Sequence, residues 1–163
     1  MPGLRHRIDV EAADAEVYRK HADDLIRFAT GLVGPSDAAD VVSEAVICCL
    51  DSAGWVAVTE KRPYLYRSVY NKAAEFHRAT SRRRSREALA AREELVESPE
   101  VRPEVLAAVF RLSIRQRAVI MLTYWEDLAP SSIATLMDIS EGSVKRHLAR
   151  GRSRLKEALK THG

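Results

Sequence analysis

Cysteine is nearly absent from this chain: its 163 residues include two, Cys48 and Cys49, side by side. Neighbouring residues rarely bridge and no third cysteine offers a partner, so a disulfide framework is excluded. The pair reads as reduced core residues within an apolar helical pattern. Histidine is sparse as well. His6, His21, His77, His147 and His162 show no metal-ligand spacing. There is no glycine-rich phosphate loop and no nucleophile motif, so the expectation is a protein that is not an enzyme and carries no cofactor. No signal peptide and no bilayer-length apolar run stand in the sequence, which gives the expectation of a cytoplasmic protein without membrane insertion. Glycine and proline are few and lie mostly between periodic segments, and long alternating β patterns are missing. With 46% hydrophobic residues available for a core, the fold class expected is all-α.

Charge is present but uneven. Residues 1–80 carry 10 basic and 12 acidic side chains, residues 81–109 six of each, and residues 110–163 10 basic and five acidic. The C-terminal third therefore holds an excess of +5, the sign that attraction to phosphate requires. The N-terminal half, at −2, suits a protein surface instead.

The periodicity divides the chain. Residues 11–32 read as a helix with Val17, Leu25, Phe28 and Leu32 on one side, stopped by Gly34-Pro35. A second helix follows to about Leu50, with Ser36 and Asp37 as candidate caps and Asp40 in its first turn. Its outer line is Asp40, Glu44, Ile47 and Asp51. A loop with Gly54 and Trp55 leads to a third helix at Pro63, whose apolar line is Leu65, Val69, Ala73 and Phe76. A basic run, Ser81 to Arg86, opens a charged segment broken at Pro99 and Pro103. Further helices follow near Glu104, at Arg115–Leu122, at 131–138 with Ser131 or Ser132 as cap, and at 142–160.

Two segments carry chemistry. The string Ile133-Ala134-Thr135-Leu136-Met137-Asp138-Ile139-Ser140-Glu141-Gly142-Ser143-Val144-Lys145-Arg146-His147-Leu148 reads as a helix-turn-helix, with a small Ala134 where two helices cross. In the second helix Val144, Leu148, Gly151, Leu155 and Leu159 share one face, while Ser143, Arg146, Arg150 and Ser153 point the other way. Lys145 and Arg152 flank the polar face on one side, His147 and Arg154 on the other. Residues at the helix start would reach base edges and later arginines would reach phosphates. The third helix interleaves Tyr64, Tyr66, Tyr70 and Phe76 with Arg67, Asn71, Lys72, Arg78 and the arginine run. That mixture suits unstacked single-stranded bases, and it equally suits half-buried tyrosines beside a solvated basic face. The acidic stripe of the second helix reads either as a docking face for a basic partner or as an ordinary solvated face.

Taken in order, these segments resemble the bacterial extracytoplasmic-function sigma factors, group IV of the sigma-70 family. Pro63 to Arg78 is similar to the family's promoter-melting helix, residues 112–155 to its C-terminal helix-turn-helix, and residues 37–50 to its polymerase-docking helix. The resemblance implies two domains: a region 2-like helical bundle at 10–80 and a region 4-like helix-turn-helix unit at 105–161, joined by a linker at 81–104. It implies a specificity subunit that binds core RNA polymerase and promoter DNA and is held by an anti-sigma factor. Carried over by position, Asp40 and Glu44 become polymerase contacts. Tyr64, Arg67, Asn71, Arg78, Arg82 and Arg83 become contacts to the −10 strand. Ser143, Lys145, Arg146, His147 and Arg150 become contacts to the −35 duplex. The chain departs from the family pattern at Tyr64, where Trp is common, at Ser43 for Gln, at Glu75 for Asp, at Ser132 for Glu, at Asp138 for Gly and at His147 for Arg. A stand-alone helix-turn-helix regulator with an N-terminal sensing or dimerisation unit is the alternative, and an RNA-binding or structural interaction protein a third.

Overall fold

The computed structural model describes the backbone of residues 2–87 and 103–161, and side chains over 12–81 and 104–161 apart from residue 106. Among the described residues the regular structure is helical throughout. The helices are α1 (Pro2–Val33), α2 (Pro35–Asp51), α3 (Lys61–Glu87), α4 (Pro103–Phe110), α5 (Ile114–Tyr124), α6 (Pro130–Met137) and α7 (Glu141–Lys160), with a 3-10 turn at Trp55–Ala57.

The helices α1, α2 and α3 pack on one another as a bundle. Gly34 makes the reversal between α1 and α2 at φ 96°, a left-handed conformation that a side chain would oppose. Pro35 then occupies the first helical turn, where its missing N–H costs nothing. The cap thus falls earlier than Ser36 or Asp37, and Asp37 rather than Asp40 is the acid in the first turn. Ala38, Val41, Val42, Ala45, Val46 and Cys49 are buried along α2, but Cys48 is exposed, so only one of the two cysteines belongs to the core. In α3, Leu65, Val69 and Ala73 are buried as their spacing requires. Tyr66 and Tyr70 are buried too, Tyr66 with its ring 5.2 Å from that of Phe28. These two tyrosines are core, which settles the packing alternative for them. The backbone of α3 continues to Glu87, so the whole arginine run, Ser81 to Arg86, is helical and the start of the expected linker is part of α3; residues 88–102, most of that linker, lie outside the described residues.

The C-terminal unit is built on α5. Ser113 caps it, accepting from Gln116 N while Gln116 Oε1 accepts from Ser113 N, the reciprocal capping box written in Ser113-x-x-Gln116. Every residue from Gln116 to Leu122 is buried, polar ones included. The amphipathic reading, with Val119 and Leu122 inward, accounts for part of this. The rest follows from α5 packing against α7 and α6 on one side and α1 and α3 on the other. One continuous core runs from Leu25 through α2 and α3 to Val144. At its seam Gly31 approaches Met121 so closely that a Cβ there would stand 2.7 Å from the sulfur.

The helix-turn-helix proper is α6 and α7. Ala129 is the N-cap of α6, with Pro130 in the first turn and no side-chain cap, so Ser131 and Ser132 lie inside the helix. Asp138 ends α6 in the left-handed region at φ 55°, which Asp tolerates better than most residues. Ser140 caps α7 by accepting from Ser143 N at 3.1 Å. Val144 and Gly151 are buried, Leu148 and Leu155 are half-buried, and Leu159 is exposed, so the apolar face frays at its end.

Candidate nucleic-acid and polymerase surfaces

The first surface is the outer face of α7. Lys145 and Arg146 are exposed near its start and Arg150 one turn on. Lys145 pairs with Glu141 at 3.0 Å, a contact between exposed side chains. Ser143 is half-buried with its hydroxyl 2.9 Å from that of Ser140. Arg152 lies over the Tyr124 ring at 5.5 Å, and Arg154 donates to Gln116 Oε1 at 3.2 Å. These two arginines fasten α7 to α5, leaving Arg146 and Arg150 pointing outward. His147 differs from its basic neighbours. Its ring is half-buried, and its Nδ1 is shielded from solvent and without a hydrogen-bond partner. Burial holds its pKa below the usual histidine value, and the charges of Arg115, Arg146 and Arg150 push it the same way.

The second surface is a cavity of about 370 Å³ lined by Cys48, Cys49, Ser52, Tyr64, Arg67, Ser68 and Asn71. Its wall is fixed by a residue that the sequence places only in a loop. Trp55 is buried, donates through Nε1 to Asp14 Oδ1 at 2.7 Å, and packs against Tyr64 with the rings tilted at 58° and their centroids 5.8 Å apart. Lys61 lies over the indole at 4.1 Å and donates to the Trp55 carbonyl. The Tyr64 hydroxyl reaches Ser52 Oγ at 3.4 Å, and Ser68 donates to the Ala45 carbonyl at 3.0 Å. So three of the expected strand contacts, Tyr64, Arg67 and Asn71, meet at one opening between α2, α3 and the Trp55 turn. The signal for Trp55 was a lone aromatic in a polar loop, which is ambiguous without its partner Asp14. Arg78 is exposed two turns further along α3, away from this cavity's lining. The side chains of Arg82 and Arg83 lie outside the described residues.

The third surface is on α2. Asp40, Glu44, Ile47, Leu50 and Asp51 are exposed on it, with Ile47 58% accessible despite being aliphatic. An acidic stripe with bare aliphatic side chains is a protein-docking composition rather than a nucleic-acid one. Among the described residues no group of His, Cys, Asp and Glu is arranged to hold a metal ion.

A helical bundle followed by a helix-turn-helix, with a basic outer face on α7 and an acidic, partly aliphatic face on α2, has the composition of a DNA-binding protein with a second surface of protein-docking character. Residues 102–155 match the family model for sigma-70, region 4. The chain is 31% identical over 153 residues to RNA polymerase sigma-E factor of Streptomyces antibioticus, covering 90% of this chain and 84% of that one. It is 31% identical over 156 residues to RNA polymerase sigma-E factor of Streptomyces coelicolor, covering 88% and 84%. In fold it is similar to the sigma factor RpoE of Bartonella quintana, solved with the anti-sigma factor NepR, at a TM-score of 0.75 and 20% identity over 90% of this chain and 96% of that one. It is also similar to CnrH, solved with the cytosolic domain of CnrY, at 0.65 and 20% identity over 94% and 91%.

The chain belongs to the extracytoplasmic-function, group IV, sigma factors of the sigma-70 family. It is an RNA polymerase sigma factor, directing transcription initiation by binding core polymerase and recognising promoters, and is not itself an enzyme. The stand-alone regulator and the RNA-binding protein are thereby set aside. One further expectation is corrected: a plain cytoplasmic assignment does not stand. Of the similar solved proteins, RpoE is held by the anti-sigma factor NepR and CnrH by the cytosolic domain of CnrY. Of the described residues themselves, no helix is long and apolar enough to cross a membrane.

Proposed function

We propose that promoter recognition is divided between the two DNA surfaces, with residues 10–80 as the docking and strand-capture unit, 81–104 as connector and 105–161 as the duplex-reading unit. Ser143, Lys145, Arg146, His147 and Arg150 face the −35 duplex, with Arg146 and Arg150 exposed on the outer side of α7. Tyr64, Arg67 and Asn71 take the −10 strand at the cavity, with Arg78, Arg82 and Arg83 following its backbone along α3. Asp40 and Glu44 dock on core polymerase.

The observation that carries this reading is the convergence of Tyr64, Arg67 and Asn71 on one opening of about 370 Å³, on the same molecule as an outward basic recognition helix. An unstacked base needs a ring to lie on and a polar group to read its edge. Tyr64, braced by Trp55, offers the ring; Asn71 offers both a donor and an acceptor. The solved RpoE of Bartonella quintana is bound to the anti-sigma factor NepR, and an anti-sigma factor is the corresponding regulator here.

The test uses holoenzyme reconstituted with core polymerase on a promoter selected by that holoenzyme. Asn71→Ala is expected to leave recruitment intact and to reduce permanganate reactivity of the melted strand. Normal reactivity with Asn71→Ala would remove the strand-capture assignment.

A further inference from the structure

We propose that Asp14 of α1 is a positioning residue for strand capture: through the Trp55 indole it fixes the Tyr64 ring on which the captured base lies, and so sharpens the choice of base. This rests on the reading of the Tyr64 cavity as the strand-capture site.

Tyr64 stands in the first turn of α3, half-buried, and lines the cavity. Helix ends fray, and a stacking platform that has to be ordered on binding loses affinity to the entropy it gives up. What meets the Tyr64 ring comes from the segment before the helix. Trp55 packs on it with centroids 5.8 Å apart and planes tilted at 58°, and Ser52 Oγ accepts from its hydroxyl at 3.4 Å.

That segment is a weak support taken alone. Trp55–Ala57 is a single 3-10 turn after Gly54, without a side-chain cap, and its hydrogen bonds have poorer geometry than those of an α-helix. Trp55 is nevertheless only 2% exposed. Its indole N–H donates at 2.7 Å to Asp14 Oδ1, 41 positions earlier in the chain, the short separation of a bond to a charged acceptor. Lys61 Nζ lies over the same indole, 4.1 Å from the centroid. A cation on the ring face draws π density and makes the N–H a stronger donor, so Lys61 and Asp14 hold the indole cooperatively. Asp14 is also set apart on its own helix: of residues 12–16 it alone is half-buried, the other four being exposed. An aspartate serving only solubility would stay in water with them. Asp14 does not line the cavity, so its influence on the base passes through Trp55.

The consequence is for selectivity as well as for opening. Asn71 reads a base edge only while the ring keeps the base in register with it. A displaced ring admits several bases and holds none of them well, whereas a general loosening of the bundle lowers opening on every promoter alike.

The test uses holoenzyme on four versions of its selected promoter, differing at the −10 position where substitution most reduces opening by wild type. Permanganate reactivity of the melted strand is the readout, with a urea midpoint for each variant. Asp14→Ala removes the acceptor at a helix position where Ala is the best helix former, so the chain folds. Asp14→Asn keeps an acceptor without the charge, and Trp55→Phe keeps a ring without the N–H. Asp14→Ala is expected to reduce opening about fivefold on the preferred base, to bring the four templates close to equal, and to leave recruitment as in wild type. Asp14→Asn should recover most of the preference. Trp55→Phe should reproduce the loss, and combining it with Asp14→Ala should add nothing further. Unchanged opening and base preference in Asp14→Ala, with Asn71→Ala defective, overturns the positioning role and leaves strand capture standing. An equal fall on all four templates overturns it too, because that is lost bundle stability and not ring placement. Normal opening in Asn71→Ala removes the strand-capture reading, and the role of Asp14 falls with it.

Discussion

Arg117 Nη1 donates a 2.7 Å hydrogen bond to the carbonyl oxygen of Leu32, at the end of α1 and 85 residues earlier in the chain. The same guanidinium donates through Nε to Leu112 O at 3.0 Å and through Nη2 to Phe110 O at 2.6 Å, and lies over the Phe110 ring at 4.8 Å. An arginine 7% exposed is thereby satisfied by three carbonyls, two of them, Leu32 O and Phe110 O, acceptors at the negative ends of helices. Removing it leaves buried acceptors unmet in both units. Arg117→Met should cost about 2–4 kcal/mol, read as a lowered midpoint in urea. A midpoint within error of wild type would show that these carbonyls find other partners.

Gly31 and Met121 meet at the same seam, and a Cβ on residue 31 would stand 2.7–2.8 Å from Met121 side-chain atoms. Gly31→Ala must displace that methionine, at a cost of about 1–3 kcal/mol. Methionine is adaptable, so Met121→Ala combined with Gly31→Ala should be less damaging than the two single losses summed. Strict additivity in a double-mutant cycle would mean that the two residues do not share the space.

Ser140 anchors the start of the recognition helix through Ser143 N at 3.1 Å. Ser140→Ala should cost about 1 kcal/mol by loss of the cap. Its effect on −35 duplex affinity should exceed what the stability change alone produces, because Ser143 is positioned by the same contact. Duplex affinity that tracks stability alone would separate the cap from recognition.

Arg146 is exposed on the outer face of α7. Arg146→Ala should weaken duplex binding by about 1–3 kcal/mol if the side chain reads a base edge, or reduce the salt slope by about 1 if it meets a phosphate. Affinity for core polymerase should stay as in wild type, since the docking surface proposed above is on α2. Equal loss of both activities would break the division of roles.

Acid should weaken the fold through two histidines. His147 has its pKa lowered by burial and then by Arg115, Arg146 and Arg150; His21 has it lowered by burial and then by Arg62 and Lys20, with Asp24 opposing. Below the ordinary value of 6.5 the unfolded chain therefore takes up protons that the folded chain resists. Stability is full above that pH and falls as pH drops toward the folded values. His147→Gln and His21→Gln should each flatten the decline in chemical-denaturation midpoints between pH 7 and 5. An unaltered pH profile in both variants would assign the decline to carboxylates.

The elements were legible where one periodic face sufficed. Leu65, Val69 and Ala73 at helical spacing fixed the inner face of α3, and Asp40, Glu44 and Ile47 fixed the outer face of α2. Cys48 shows the limit of a shared line: on a helix packed along one flank, a residue at the edge of the apolar arc is left in water. Tyr66 and Tyr70 show the reverse, since a tyrosine pattern alone does not distinguish a ring offered to a base from a ring packed on Phe28.

By itself the sequence determined an all-α chain, the order of its helices, the helix-turn-helix with its basic outer face, and the family that order resembles. Those features are local: periods of three and four, a turn residue, a cap, a charge excess. Only the tertiary structure decided which aromatic braces the cavity, how Glu126 came to be enclosed by Arg27 and Arg62, and why Gln116 to Leu122 vanish from the surface together. Each depends on groups far apart in the chain, Trp55 on Asp14, Glu126 on Arg62 and Arg117 on Leu32. No spacing rule encodes such pairs, because the geometry that joins them exists only once two helical units share one core.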